Sequence, residues 1–309
     1  MGDVILDLDG PVHAVDHGGD GPPMLLVHGL GGSLLDWRDV APSLARHHRV
    51  WSIDLAGFGR TPIENRHATI AANQRLVDAA VRYIGQGEAV LLMGNSMGGL
   101  IGIVEAARRP DLIAGLVLVD PALPRTRGGR LALMITAAFL VLATPGVGRW
   151  LTESHTRRRG AERLVDDVLK LCTVDVSRIN PETREAQVEL TKWRTELDDP
   201  HRAFVEASRS LTRWLLRRQT MQAHIRDVQA PTLLIHGDSD RLVSVSAAGW
   251  AAALRPDWSF RVLANTGHVP QLERPREFVR LVDHWLEEPR PAGVMPAQPV
   301  EPAASTSRR

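Results

Sequence analysis

Cysteine is all but missing, with Cys172 the single example in 309 residues. One thiol makes no internal disulfide and no cysteine-rich metal site, so neither a stapled scaffold nor a zinc module fits. A lone cysteine of this kind reads as a small buried hydrophobe. Lysine is nearly absent too, because every basic residue except Lys170 and Lys192 is arginine. A base-composition bias accounts for that more simply than function does. Net charge is only +1, from 37 basic and 36 acidic residues. That balance offers no bulk electrostatic footprint for nucleic acid or an anionic surface. Met1-Gly2-Asp3-Val4 has no basic stretch leading into an apolar one, so no secretory leader is read. Leu6 stands where a myristoylation signal wants Ser or Thr. The most apolar run, Leu131 to Ala143, falls short of the roughly 20 residues that span a bilayer. A cytoplasmic protein is expected.

What is present is ordinary for a globular chain: 44% hydrophobic and 24% charged residues. The length allows one large domain, or one domain carrying an insertion. Val4–Leu8 and Val12–Val15 flank Asp9-Gly10-Pro11 and predict an opening hairpin. Buried-strand patterns recur at Met24–Val27, Val50–Asp54, Ala89–Met93, Ile113–Val119, Pro231–His236 and Ser259–Leu263. Helical spacing fills the intervals at about 35–45, 69–84, 100–107, 245–254 and 276–286. Alternation of this kind predicts an α/β fold whose mostly parallel, doubly wound sheet is covered on both faces. From about 122 to 228 strand signals vanish, and helical stretches rich in Arg and Glu take over. The expected organisation is a core over 1–121, a helical insertion over 122–228, the rest of the core over 229–288, and a disordered Pro/Ala-rich tail over 289–309.

The chain is organised around Gly94-Asn95-Ser96-Met97-Gly98, where an apolar strand passes directly into a helix. That is the nucleophile-elbow pattern. A serine on so sharp a turn is strained, so its flanking positions must be small, and the following helix aims its N-terminus at any oxyanion formed there. A serine hydroxyl also needs a base and an orienting carboxylate. His268, in Thr266-Gly267-His268 after the last strand, is the best base; His28 and His236 also follow strands. Asp240, in the loop after the seventh strand, is preferred as orienter. Asp120, at the end of the preceding strand, competes with it, and Asp238 reads as a turn cap. A metal at His236, Asp238 and Asp240 is not expected, nor is any cofactor: Gly57-Phe58-Gly59 lacks the third glycine of a dinucleotide fingerprint.

These stretches, with His28-Gly29-Leu30-Gly31-Gly32 and Asp54-Leu55-Ala56-Gly57-Phe58-Gly59-Arg60-Thr61, resemble the α/β-hydrolase superfamily over about Val4 to Leu286. The order Ser96, Asp240, His268 matches that superfamily's triad order. The resemblance implies that the backbone N–H groups of Leu30 and Met97 form the oxyanion hole, and that the insertion is a helical cap after the sixth strand. Leu131, Met134, Ile135 and Phe139 in that cap, with Val269, are the expected substrate-contacting residues. They would line a lipophilic pocket with Arg125, Arg127 and Arg130 at its mouth; simple cap core is the competing reading. The cap helix and Arg157-Arg158-Arg159 suggest at most peripheral membrane contact. Serine at the elbow argues against the aspartate-dependent dehalogenases and epoxide hydrolases. The expected activity is hydrolysis of a carboxylic ester or related acyl bond of a lipophilic small molecule. Carbon–carbon bond hydrolases share the Gly-Asn-Ser-Met-Gly-Gly elbow but usually carry Trp where Val269 stands. Cofactor-free haloperoxidases, and a non-catalytic ligand-binding scaffold, are further alternatives. Oligomeric state is not legible.

Overall fold

The computed structural model describes residues 2–124 and 159–288. The apolar cap helix expected over 131–143, with Leu131, Met134, Ile135 and Phe139, lies outside the described residues. So do the arginines at 125, 127, 130, 157 and 158, and the tail over 289–309. The opening hairpin forms as β1 (Gly2–Asp7) and β2 (Pro11–Gly18), paired antiparallel. Then come β3 (Pro23–Val27), β4 (Arg49–Ile53), β5 (Val90–Asn95), β6 (Ile113–Val119), β7 (Thr232–Gly237) and β8 (Ser259–Leu263). They build one eight-stranded sheet in the order β1-β2-β4-β3-β5-β6-β7-β8, parallel from β4 onward.

Strand periodicity divides the core. Leu25, Val27, Leu92, Leu116, Leu118 and Leu234 point to one face, where they pack with α2 (Ile70–Gly85), α3 (Met97–Arg108) and Ala247, Ala248 and Ala251. Their alternates Met24, Leu26, Leu91, Met93, Val117, Val119, Leu233 and Ile235 point to the other, against Trp37, Phe278, Val282 and Trp285. Successive residues face opposite sides of a strand, so a strand buried on both faces must be apolar throughout. That is why these segments read as continuous apolar runs.

Among the described residues, the one helix that does not form as expected is 35–45. It splits into a 3-10 turn, Leu34–Trp37, and a short α1, Ala41–Leu44. Pro42 has no N–H to give the carbonyl of Arg38, so a continuous helix would be broken at that point. Between β6 and β7 the described chain forms only helices: α4 (Ala161–Cys172), α5 (Pro181–Thr195), α6 (Arg202–Leu216) and α7 (Arg218–Asp227). They constitute a helical cap docked by apolar and polar contacts together, with Ala203, Ala207, Leu211, Met221 and Ile225 joining the core beside α2 and α3. Arg194 donates to the carbonyls of Gly57 and Gly59, Ser210 Oγ accepts from Ile70 N, and Gln187 donates to Asp36. After β7 come α8 (Val245–Leu254), a short α9 (Pro270–Glu273) that the periodicity does not reveal, and α10 (Pro275–Glu287). No helix among the described residues is long and apolar enough to cross a membrane.

Candidate active site

Ser96 stands between β5 and α3 with φ +53° and ψ −112°, outside the usual helical and extended regions. Its backbone is pinned on two sides, for Ser96 N donates to Val119 O at 2.9 Å and Ser96 O accepts from Ala122 N at 2.9 Å. A Cβ on Gly94 would lie 2.4 Å from the carbonyl oxygen of Gly98, and one on Gly98 would lie 2.4 Å from that of Val27. Neither approach is possible for another residue, so glycine on both sides of the serine is a packing demand. Ser96 alone is partly exposed between fully buried neighbours. Gly29 lies against it, since a Cβ there would come within 3.1 Å of Ser96 Cβ. Leu30 therefore follows a residue in contact with the serine, and Met97 begins α3, where backbone N–H groups have no partner within the helix.

His268 and Asp240 are equally well defined. His268 Nδ1 lies 2.7 Å from Asp240 Oδ2, both side chains nearly or wholly buried. A carboxylate only accepts, so Nδ1 carries a proton and donates a hydrogen bond to Asp240. The other oxygen of Asp240 accepts from Leu242 N at 2.7 Å and Val243 N at 3.1 Å. Burial works to raise the Asp240 carboxyl, yet the charge and hydrogen bond of His268 hold it below the usual carboxylate range.

Hydrogen bonds fix the loop that carries His268. Its N–H donates to the carbonyl of Cys172 at the end of α4, and its carbonyl accepts from Asn95 Nδ2 at 3.0 Å. Asn95 is the residue before the serine, and it also donates to Val119 O. Glu273, whose side chain is fully buried, accepts from Gly267 N with one oxygen (2.7 Å). With the other it accepts from Val174 N, Asp175 N and Arg178 Nη1 (3.0, 3.1 and 3.2 Å). One buried carboxylate thus joins the histidine loop to the start of the cap's second half.

The remaining candidates take quieter places. His28 is fully buried and neutral, its Nδ1 donating to Gly29 O and its Nε2 accepting from Leu55 N. Burial lowers its pKa, and it braces the glycine loop. His236 lies within β7 and donates from Nε2 to Val243 O at 3.0 Å. Asp238 is exposed and accepts from Ser239 Oγ, as a turn residue does. Val269 is buried against Val165, Leu169, Ile179 and Val188 of the cap and its approach, and against Leu272. The Cys172 thiol is pushed up to about 12 by burial and then by Asp240, Asp36 and Asp120, which makes it inert as a nucleophile. Asp120, His236 and Asp240 offer atoms within 4.8 Å of one another. Asp240 is committed to His268 and His236 Nε2 to a carbonyl, which leaves too few free donors for a cation.

Sequence reasoning passes over Asn95, Glu273 and Asp36. Asn95 sits in plain view inside the elbow, while Glu273 shows only as a carboxylate closing the Val269–Leu272 stretch. Asp36 is buried beside the glycine loop and raised to about 7 by that burial, with Gln187 of α5 donating to it at 3.1 Å.

A family model described as alpha/beta hydrolase fold matches residues 22–275. The 2-hydroxy-6-oxo-2,4-heptadienoate hydrolase of Pseudomonas putida is 28% identical over 282 residues, 87% of this chain and 90% of that one. The pimeloyl-[acyl-carrier protein] methyl ester esterase of Aeromonas hydrophila is 23% identical over 283 residues, 88% of this chain and 98% of that one. Among solved structures, a meta-cleavage product hydrolase from Pseudomonas fluorescens IP01 superposes with TM-score 0.72 at 23% identity, covering 93% of this chain and 97% of the other.

Proposed function

The chain belongs to the alpha/beta hydrolase family, and from that premise we propose that it is a serine hydrolase working through an acyl-enzyme on Ser96. The observation that carries the reading is the 2.7 Å bond between Asp240 and His268, on a loop tied through Asn95 to the serine's own strand. His268 Nε2 takes the Ser96 proton as the oxygen attacks the acyl carbon, and returns it to the leaving group. Asp240 holds the ring and stabilises the imidazolium. The N–H groups of Leu30 and Met97 receive the oxyanion, each such donor worth about 10²–10³ in rate. Water, activated by the same histidine, then releases the acid and restores Ser96.

We assign the bond as a carboxylic ester or related acyl bond of a lipophilic small molecule. The methyl ester esterase at 23% identity supports this. The second reading is hydrolysis of a carbon–carbon bond beside a ketone, favoured by the dienoate hydrolase at 28% identity. The single thiol fits a cytoplasmic setting.

The test is a panel of p-nitrophenyl esters of graded chain length alongside a ring-fission dienoate, with wild type and Ser96→Ala. The variant is expected to lose at least about 10⁴-fold in kcat, with its melting curve unchanged. Turnover persisting in Ser96→Ala would refute the assignment, and dienoate turnover exceeding every ester would select the second reading.

A further inference from the structure

Behind the acid–base pair lies a second carboxyl group to which the proposed mechanism gives no task. Asp120 ends β6, the strand between the one that carries Ser96 and the one that leads to Asp240. Its φ of +42° turns the side chain inward from the strand end, and Asp120 N donates to Ile235 O of β7. The side chains of Asp120, His236 and Asp240 are all fully buried. One oxygen of Asp120 accepts from Gly237 N at 3.0 Å, while the other has no partner as an ionised group. His236 Nδ1 is likewise without a partner and lies 3.6 Å from Asp120 Oδ1.

The charge balance of this cluster is unfavourable if every acid is ionised. His236 is a neutral ring, because burial lowers its pKa and its one proton is used on Val243 O. The other groups around Asp120 are Asp240, Glu273 and the Cys172 thiol, two of them carboxylates and none of them cationic. His268 faces Asp240. Two fully buried carboxylates with oxygens within 4.8 Å of one another and no cation between them disfavour the state in which both are charged. A proton on Asp120 satisfies the partnerless oxygen, turns repulsion within the Asp120–Asp240 pair into a hydrogen bond, and leaves the pair's negative charge on Asp240, where His268 needs it.

Building on the serine-hydrolase reading, we propose that Asp120 is a neutral acid that donates a hydrogen bond to Asp240, a positioning residue that holds the triad carboxylate toward His268. Burial and the charge of Asp240 both push the Asp120 carboxyl well above the ordinary carboxylate range, in keeping with that state. The proton stays on Asp120 throughout turnover, so the reaction's own proton balance is untouched.

Two measurements test this. In the infrared, the native protein at about pH 9 should keep a carboxylic-acid C=O band. Asp36 and Glu105, the buried acids raised to about 7, are ionised by then. The band should survive in Asp36→Asn and Glu105→Gln and vanish in Asp120→Asn. Its absence from the native protein overturns the proposal even if no variant folds.

The second readout is the pH dependence of kcat/KM, or of fluorophosphonate labelling of Ser96 where no substrate is found. Asp120→Asn replaces one neutral donor by another and should leave the acid limb in place. Asp120→Ala removes the donor and should lower kcat/KM about tenfold. A limb that falls by about a unit or more in Asp120→Asn means a negative charge was removed, and sinks the proposal. Absence of any labelling at Ser96 refutes the hydrolase reading instead, and the infrared band still decides the proton.

Discussion

The two halves of the candidate site are held by different physics. Ser96 is placed by exclusion: two glycines, a strained φ, and backbone approaches so close that no side chain fits. His268 adds attraction, through Asp240, Asn95, Glu273 and the carbonyl of Cys172, to an exclusion of its own at Gly267, where a Cβ would lie 2.2 Å from Cys172 O. Steric placement is rigid and intolerant of change in volume. Polar placement tolerates volume but fails when one partner is removed, because the other is left buried and unsatisfied.

The comparison breaks most severely at the elbow. Gly98→Ala puts a methyl group 2.4 Å from Val27 O and 2.7 Å from His28 O, both backbone atoms, so α3 must move off β3. The expected loss is about 3 kcal/mol or more, read from the urea midpoint, and labelling of Ser96 should fall with it. Unchanged stability would show that the elbow is softer than its contacts imply.

On the other side, Glu273→Gln keeps the shape and turns an amide N–H₂ toward donors that need an acceptor. A loss of about 2 kcal/mol is expected, with kcat down about tenfold and KM little changed. A change confined to KM would mean that Glu273 serves the cap and not the base. The smallest effect concerns Asp36. Its folded pKa of about 7 stands above the ordinary 3.8, so the native state binds the extra proton, and stability falls as pH rises through that window. Asp36→Asn should flatten this part of the melting-temperature profile by a few degrees, measured by calorimetry between about pH 5 and 8.

The same contrast explains what could be read beforehand. Exclusion leaves a trace in the sequence, because only glycine fits at 94 and 98, and continuous apolar runs announce strands buried on both faces. The sheet, its order of strands and helices, and the serine were legible for that reason. Attraction leaves less trace: His268 and Asp240 can be named from their loops and chain order, but the groups that hold them cannot. Nothing in the spelling of Asn95 or Glu273 says that one reaches a carbonyl 173 positions away or that the other gathers the N–H groups of Gly267, Val174 and Asp175. Asp120 was legible only as a rival to Asp240, because spacing carries no information about which of two acids keeps its proton. The broken helix at 34–44 had its signal in Pro42, which the apolar period outweighed.

One contact joins the cap to the histidine loop. The N–H of His268 rests on the last residue of α4, and Glu273 grips the next two backbone amides but one along that strand of chain. Swinging this corner outward would strip the His268 backbone of the carbonyl it donates to. Residues 172–175 therefore form the corner of the cap that is bound to the His268 loop, and removing any one of these bonds loosens both at once.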